Sequence, residues 1–290
     1  MTYFLTPLLL RSLAAGAGLL AFTAGCTQNP PGPTITTTPP ATSSAVNADP
    51  RDFAQYTELV WSDEFNDTSL DAAKWTPEVK DVWYNNELQA TTSSRNNINV
   101  TGGNLNITAI KENYNGRTFT SGRIITKGKK DFNFGRVDVR AKLPKGKGVW
   151  PAIWMLGSND STVPWPACGE IDIMELRGST PNINNTTMHY GTTTADHKYK
   201  GTQYTLPTGD FSGDFHTFSA VRSLNQMQFF VDGALYYTFK SSDATPYPFN
   251  NPFYVILNLA IGGDFDGNPD ANTTFPQTMQ VDYVRYYQYK

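Results

Sequence analysis

An all-β fold, an antiparallel β-sandwich of short strands, is what the sequence predicts, on three observations. Beyond Arg51 apolar and polar residues alternate with period two in several segments, helical periodicity is nearly absent, and Gly, Pro and Asn turns separate the segments. Many short strands without intervening helices belong to a sandwich or barrel. No repeat period and no linker interrupts residues 51–290, so this stretch reads as one domain.

The elements follow in chain order. Asn104–Ile110 places Leu105, Ile107 and Ala109 on one face. Arg136–Leu143 alternates Val137, Val139, Ala141 and Leu143 with Arg136, Asp138, Arg140 and Lys142, which is a half-buried strand. Gln226–Lys240 reads as two strands joined at Asp232-Gly233, a dipeptide suited to a two-residue hairpin turn. Phe253–Ile261 is apolar except for Asn258, as expected of a central strand. Gln280–Tyr289 closes the chain as a further strand.

The first fifty residues have a different character. Residues 1–26 hold one charge, Arg11, and an apolar run from Leu13 to Gly25. That run is shorter than the roughly 20 residues a membrane-spanning helix needs, and it reads as a signal peptide. Its end, Thr23-Ala24-Gly25-Cys26, resembles a bacterial lipobox, which implies a lipid on Cys26 as the mature N-terminus. Thr23 stands where that pattern usually has Leu, so plain secretion is the alternative. Residues 27–50 are rich in Thr, Pro, Ser and Ala and read as a disordered, Pro-stiffened tether. The expectation is an exported protein, extracellular or anchored at the bacterial cell surface or in the periplasm, that meets a membrane only through Cys26.

Composition removes other classes. With 23 Lys+Arg against 26 Asp+Glu there is no basic excess for nucleic acid. Only 17% of residues are charged and 13% are aromatic, against the balance of a disordered chain. Two Cys and three His exclude a disulfide scaffold and a Cys/His zinc cluster. With Cys26 lipidated, Cys168 has no partner in the chain and reads as a free, packed thiol. A monomer is expected.

The most informative segment is Gly169-Glu170-Ile171-Asp172-Ile173-Met174-Glu175-Leu176. On a regular strand Glu170 and Asp172 share a face and Glu175 points to the other. One extra residue, accommodated as a β-bulge at Ile173-Met174, returns Glu175 to their face. Three carboxylates on one face repel unless they share protons, which raises at least one pKa. Such a set suits retaining glycoside hydrolysis, with one ionised carboxylate as nucleophile and one protonated as acid. Three solvent-facing acids and a metal site are the other readings of the spacing. Bulky apolar residues between the acids count against the metal.

The hexapeptide Glu-Ile-Asp-Ile-Met-Glu resembles the signature of glycoside hydrolase family 16 in its longer, bulged form, typical of endo-β-1,3-glucanases called laminarinases. The resemblance extends over most of residues 55–290. It includes Trp61-Ser62-Asp63-Glu64-Phe65, Gly148-Val149-Trp150-Pro151-Ala152-Ile153-Trp154-Met155-Leu156, Met188-His189-Tyr190 and Leu257-Asn258-Leu259-Ala260-Ile261-Gly262-Gly263. It implies a jelly roll with a concave substrate cleft, a polysaccharide substrate, and hydrolysis inside β-1,3-linked or mixed-linkage glucans. Lichenan, agar or carrageenan as substrate, or a non-catalytic lectin, are the alternatives. By the same resemblance Glu170 is the nucleophile, Glu175 the acid/base, and Asp172 the carboxylate between them.

The resemblance also marks surroundings. Trp150 and Trp154, four apart on one strand face, match positions that contact sugar, while Trp61 and Trp75 read as core. Trp165 divides between core and sugar platform. Asn86 matches an Asn on the non-reducing side of the cleft, although Asn85-Asn86 equally suits a turn. Arg123 matches a position near substrate, with a structural ion pair as its other reading. His189, otherwise a core histidine, is placed beside the acid/base, whereas His197 and His216 carry no signal. One structural calcium, not required for catalysis, is implied at Glu64, Gly103 and Asp282, the first two through backbone oxygen.

Overall fold

The computed structural model describes residues 47–290. The expected signal peptide, Cys26 and most of the expected tether lie outside the described residues. The strands, in chain order, are β1 (Glu58–Asp63), β2 (Thr76–Pro77), β3 (Gln89–Thr91), β4 (Ile98–Thr101), β5 (Asn104–Tyr114), β6 (Arg117–Ser121), β7 (Arg123–Ile125) and β8 (Gly135–Lys142). They continue with β9 (Val149–Gly157), β10 (Glu170–Leu176), β11 (Ile183–Tyr190), β12 (Lys198–Thr205), β13 (His216–Ser223), β14 (Gln226–Val231), β15 (Ala234–Lys240), β16 (Phe253–Ile261) and β17 (Gln277–Gln288). Among the described residues the only helical segments are four 3₁₀ turns of three residues each.

Two sheets enclose the core. One runs β15-β14-β13-β8-β17-β5-β6-β3, with β1 on β17 and β4 on β5. The other runs β12-β11-β10-β9-β16-β7-β2. Leu105, Ile107 and Ala109 of β5, and Val137, Val139 and Ala141 of β8, are buried on the inner face as the alternation predicts. They meet Ile153, Met155, Ile171, Met188 and Leu257 from the seven-stranded sheet in one continuous cluster. Burying that apolar area is the main term favouring the sandwich. β16 lies between β9 and β7, which explains its nearly unbroken apolar run. The hairpin forms at Asp232-Gly233, both with positive φ.

Two features depart from the expectation. The pairing of β3 with β6 is parallel, because the chain returns through the β4–β5 hairpin before reaching β6. Packing also begins ahead of Arg51. Asn47 is buried and donates to the Tyr289 carbonyl, and Leu224 N–H donates to the Ala48 carbonyl. The segment from Asn47 to Tyr56 lies on the outer face of the ten-stranded sheet, with Tyr56 packed on Val221 and Phe230. Arg136 reaches from β8 to the Phe53 carbonyl and pairs with Asp138 at 3.2 Å. This cover explains why Asp138, read as solvent-facing, is buried.

Candidate active site

β10 is the third strand of the seven-stranded sheet, between β9 and β11. Its pairing with β9 slips between Asp172 and Met174, and its pairing with β11 slips between Asp172 and Glu175. Ile171, Ile173, Met174 and Leu176 are all buried in the core, so two consecutive residues, Ile173 and Met174, face inward. That is the bulge, and it places Glu170, Asp172 and Glu175 together on the opposite, open face.

Register across the sheet then decides what surrounds each carboxylate. Glu170 lies opposite His189 of β11, which lies opposite Tyr199 of β12. Asp172 lies opposite Trp154 of β9. Glu175 lies in a row with Ala152, Asn258 and Arg123 on one side and Asn185 and Gln203 on the other. The Asn258 that interrupts the apolar run of β16 accepts the Trp154 indole N–H at 2.7 Å.

The three acids are poorly solvated. The Glu170 side chain is 18% exposed and that of Asp172 only 5%. Burial is the largest cause pushing Glu170, Asp172 and Glu175 each up to about 8. The Asp172 charge raises Glu170 and Glu175 further, while His189 and Arg123 pull Glu170 down. Groups so coupled titrate as a unit. The least solvated of them, Asp172, is the natural holder of a proton, and once it is neutral Glu170 loses its main charged opponent.

His189 Nε2 lies 3.2 Å from Asp172 Oδ2 and 3.8 Å from Glu170 Oε1. Glu175 has its own supports. Trp150 Nε1–H donates to Glu175 Oε1 at 3.0 Å, and Asn185 Nδ2 donates to its carbonyl. Arg177 donates to Asn185 Oδ1 and to the Phe265 carbonyl, and Phe265 stacks on Trp150 at 4.8 Å.

Other singled-out residues divide as follows. Arg123 donates to Glu78 and lies against the rings of Trp83 and Trp154, 4.4 and 4.7 Å from their centroids. The structural ion pair is therefore present, and the same side chain braces Trp154. Asn86 is exposed, adopts φ +57° after Asn85 at +56°, and donates to Asp264 Oδ1 at 2.9 Å. The Asn-Asn turn thus forms the wall of a cavity of about 630 Å³ that also holds Trp83, Glu87 and Asp264. Trp165 is half-buried against His197 at 4.5 Å, outside the main core. Trp75 is buried and Trp61 packs on it and on Phe132. Cys168 is free and buried, and burial pushes its thiol up to about 11, far from a nucleophile's range.

Glu64, Gly103 and Asp282 come near one another where β1 and β5 both pair with β17, Asp63 with Val284 and Leu105 with Val281. The Glu64 carboxylate is held by Arg285 at 2.7 Å, which lowers its pKa, and Asp282 meets Arg140 at 2.5 Å. Both carboxylates expected at the calcium site thus carry an arginine partner, and calcium itself takes mixed carboxylate and carbonyl oxygens.

Reading from sequence missed His197, Asn185, Arg177, Phe265 and Trp83. His197 Nε2 is 2.8 Å from His189 Nδ1. Strand register for Asn185, and the paths of the loops for the other four, bring them to the site.

A family model described as glycosyl hydrolases family 16 matches residues 85–285. Over 255 residues the chain is 41% identical to glucan endo-1,3-beta-glucosidase A1 of Niallia circulans, covering 79% of this chain and 37% of that protein. Over 263 residues it is 40% identical to a beta-glucanase of Rhodothermus marinus, covering 85% and 90% of the two chains. The crystal structure of the laminarinase catalytic domain from Thermotoga maritima MSB8 superposes with a TM-score of 0.74 at 40% identity, covering 80% of this chain and 98% of that one.

Proposed function

The chain belongs to glycosyl hydrolases family 16, and we propose that it hydrolyses β-1,3-glucosidic bonds inside laminarin-like and mixed-linkage β-glucans. One observation carries this reading: the bulge in β10 brings Glu170, Asp172 and Glu175 to one open face, flanked by Trp150 and Trp154. Glu170 attacks the anomeric carbon while Glu175 protonates the leaving oxygen, giving a covalent glycosyl-enzyme. Glu175 then takes a proton from water, which releases the sugar with retained configuration. The raised pKa of Glu175 supports its starting protonated, and Asp172 holds the proton that lets Glu170 ionise.

Trp150 and Trp154 offer ring faces for sugar C–H surfaces with Asn86 and Arg123 on the β16–β7 side of the acids, and Trp165 offers one on the β11–β12 side. A calcium at Glu64, Gly103 and Asp282 ties β1, the β4–β5 turn and β17 together without taking part in catalysis. The protein is exported by residues 1–26 and held through the residues between Cys26 and Asn47, with Cys26 as lipid anchor. Mass spectrometry of the mature N-terminus tests the anchor.

Reducing-sugar release from laminarin, compared with lichenan, curdlan and agarose, tests the activity. Short oligosaccharides from laminarin are the expected result. Binding to all four without release from any would replace the enzyme with a lectin.

A further inference from the structure

Behind the carboxylates stands a pair of imidazoles that the mechanism above does not use. His189 Nδ1 and His197 Nε2 are 2.8 Å apart, with ring planes only 18° from parallel. A nitrogen–nitrogen contact of this length needs one N–H and one lone pair, so the two rings cannot both be imidazolium. His189 is the ring that faces anions, since its Nε2 looks at Asp172 Oδ2 and Glu170 Oε1. His197 faces none so closely. It follows Asp196, whose carboxylate is occupied by the backbone and hydroxyls of Thr192 and Thr193. Trp165 covers one side of His197 at 4.5 Å, and Tyr199 of β12 lies 6.1 Å away. Burial and the neighbouring His189 both hold the His197 pKa below its ordinary value, which favours the neutral ring as the acceptor.

We propose that His197 is a positioning residue of the active site: its Nε2 accepts the Nδ1–H of His189 and thereby fixes the ring orientation that presents His189 Nε2 to Asp172 and Glu170. The reasoning is geometric. An imidazole on a strand can turn about its χ2 bond, and in the turned position a carbon replaces Nε2 at the carboxylates. A single strong acceptor on Nδ1 removes that freedom. Asp172 Oδ2 gives this orientation its purpose, because it is buried and has no well-aligned hydrogen bond, with His189 Nε2 as its nearby polar neighbour. The arrangement resembles the way a third group orients the base in other catalytic sets. His197 itself touches no reacting atom.

The proposal rests on the glucanase reading, and two variants separate its parts. His197→Phe keeps a ring against Trp165 and loses the acceptor, whereas His197→Gln keeps an acceptor oxygen and loses the ring. In His197→Phe, kcat on laminarin should fall about tenfold with KM within about twofold, the size usual for a lost orienting hydrogen bond. The acidic limb of its kcat/KM profile should move to higher pH, because a loosened His189 no longer counters the burial of Glu170. His197→Gln should recover most of the rate. In the wild type, ¹⁵N NMR should show a protonated His189 Nδ1 coupled across the hydrogen bond to His197 Nε2. Wild-type kcat and pH profile in His197→Phe, equal impairment in the two variants, or no such coupling would each overturn the proposal. A wild-type protein inert on every glucan would overturn the activity instead, and the NMR measurement would still decide the pairing.

Discussion

Trp150 donates its indole N–H to Glu175 Oε1 at 3.0 Å, from a position on β9 two residues before Ala152, the register partner of Glu175. A tryptophan expected only to stack on sugar is therefore also bonded to the acid/base. The bond favours the ionised carboxylate and so opposes the burial that raises Glu175.

Trp150→Phe keeps a ring over Phe265 and removes this donor. Glu175 should then hold its proton to higher pH, and the alkaline limb of the kcat/KM profile should move upward by about half a unit or more. A limb that stays in place while KM rises would assign Trp150 to stacking alone.

Glu170→Gln and Glu175→Gln should each lower kcat at least about 1,000-fold, with circular dichroism unchanged. The amide is nearly isosteric with the acid, so the bulge and core remain. Either variant at full activity would remove the assignment.

The buried acids also set a dependence of stability on pH. Their folded pKa values, pushed up to about 8, lie above the ordinary carboxylate range. Between the ordinary range and pH 8 the folded state binds more protons than the unfolded one, so stability falls as pH rises. Asp172→Asn removes part of that slope and should gain about 1–2 kcal/mol over the wild type at pH 8, and far less at pH 4. Denaturant melts at both pH values measure it, and a constant difference would show the effect is not electrostatic.

Deleting Met174 tests the bulge. The remaining Glu-Ile-Asp-Ile-Glu alternates regularly, so its three acids still share the open face. The variant should fold with some loss of stability, because one core side chain goes, and retain measurable hydrolysis. Inserting an Ala after Met174 should instead turn Glu175 inward and abolish activity. Equal activity in the two variants would mean that strand parity does not place Glu175.

Calcium, if held at Glu64, Gly103 and Asp282, stabilises only the folded state. Thermal melts with chelator and with millimolar calcium should differ by several degrees, and Asp282→Asn should erase the difference. Coincident melts in the wild type would remove the ion from the account.

Period-two alternation was enough to read β5, β8 and the hairpin of β14 and β15, because a half-buried strand writes its own parity into the chain. The position of the bulge was legible for the same reason, since three acids could share a face only if Ile173 and Met174 both faced inward. The short β2, β3 and β7 carry too few residues to show a period, and the parallel pairing of β3 and β6 depends on the path between them. Asp138 looked solvent-facing because alternation describes one sheet and is blind to the segment that covers it.

Local order thus determined the longer alternating strands, the catalytic strand, and the parity that gathers Glu170, Asp172 and Glu175. Tertiary structure alone decided their partners. His197 meets His189 from the end of a 3₁₀ turn, Arg123 binds Glu78 and braces Trp154 two strands away, and Arg177 holds Asn185 behind Glu175. Each of these contacts is set by strand register and loop path, which bring residues on different elements within a few ångströms of one another in a way that no local pattern encodes.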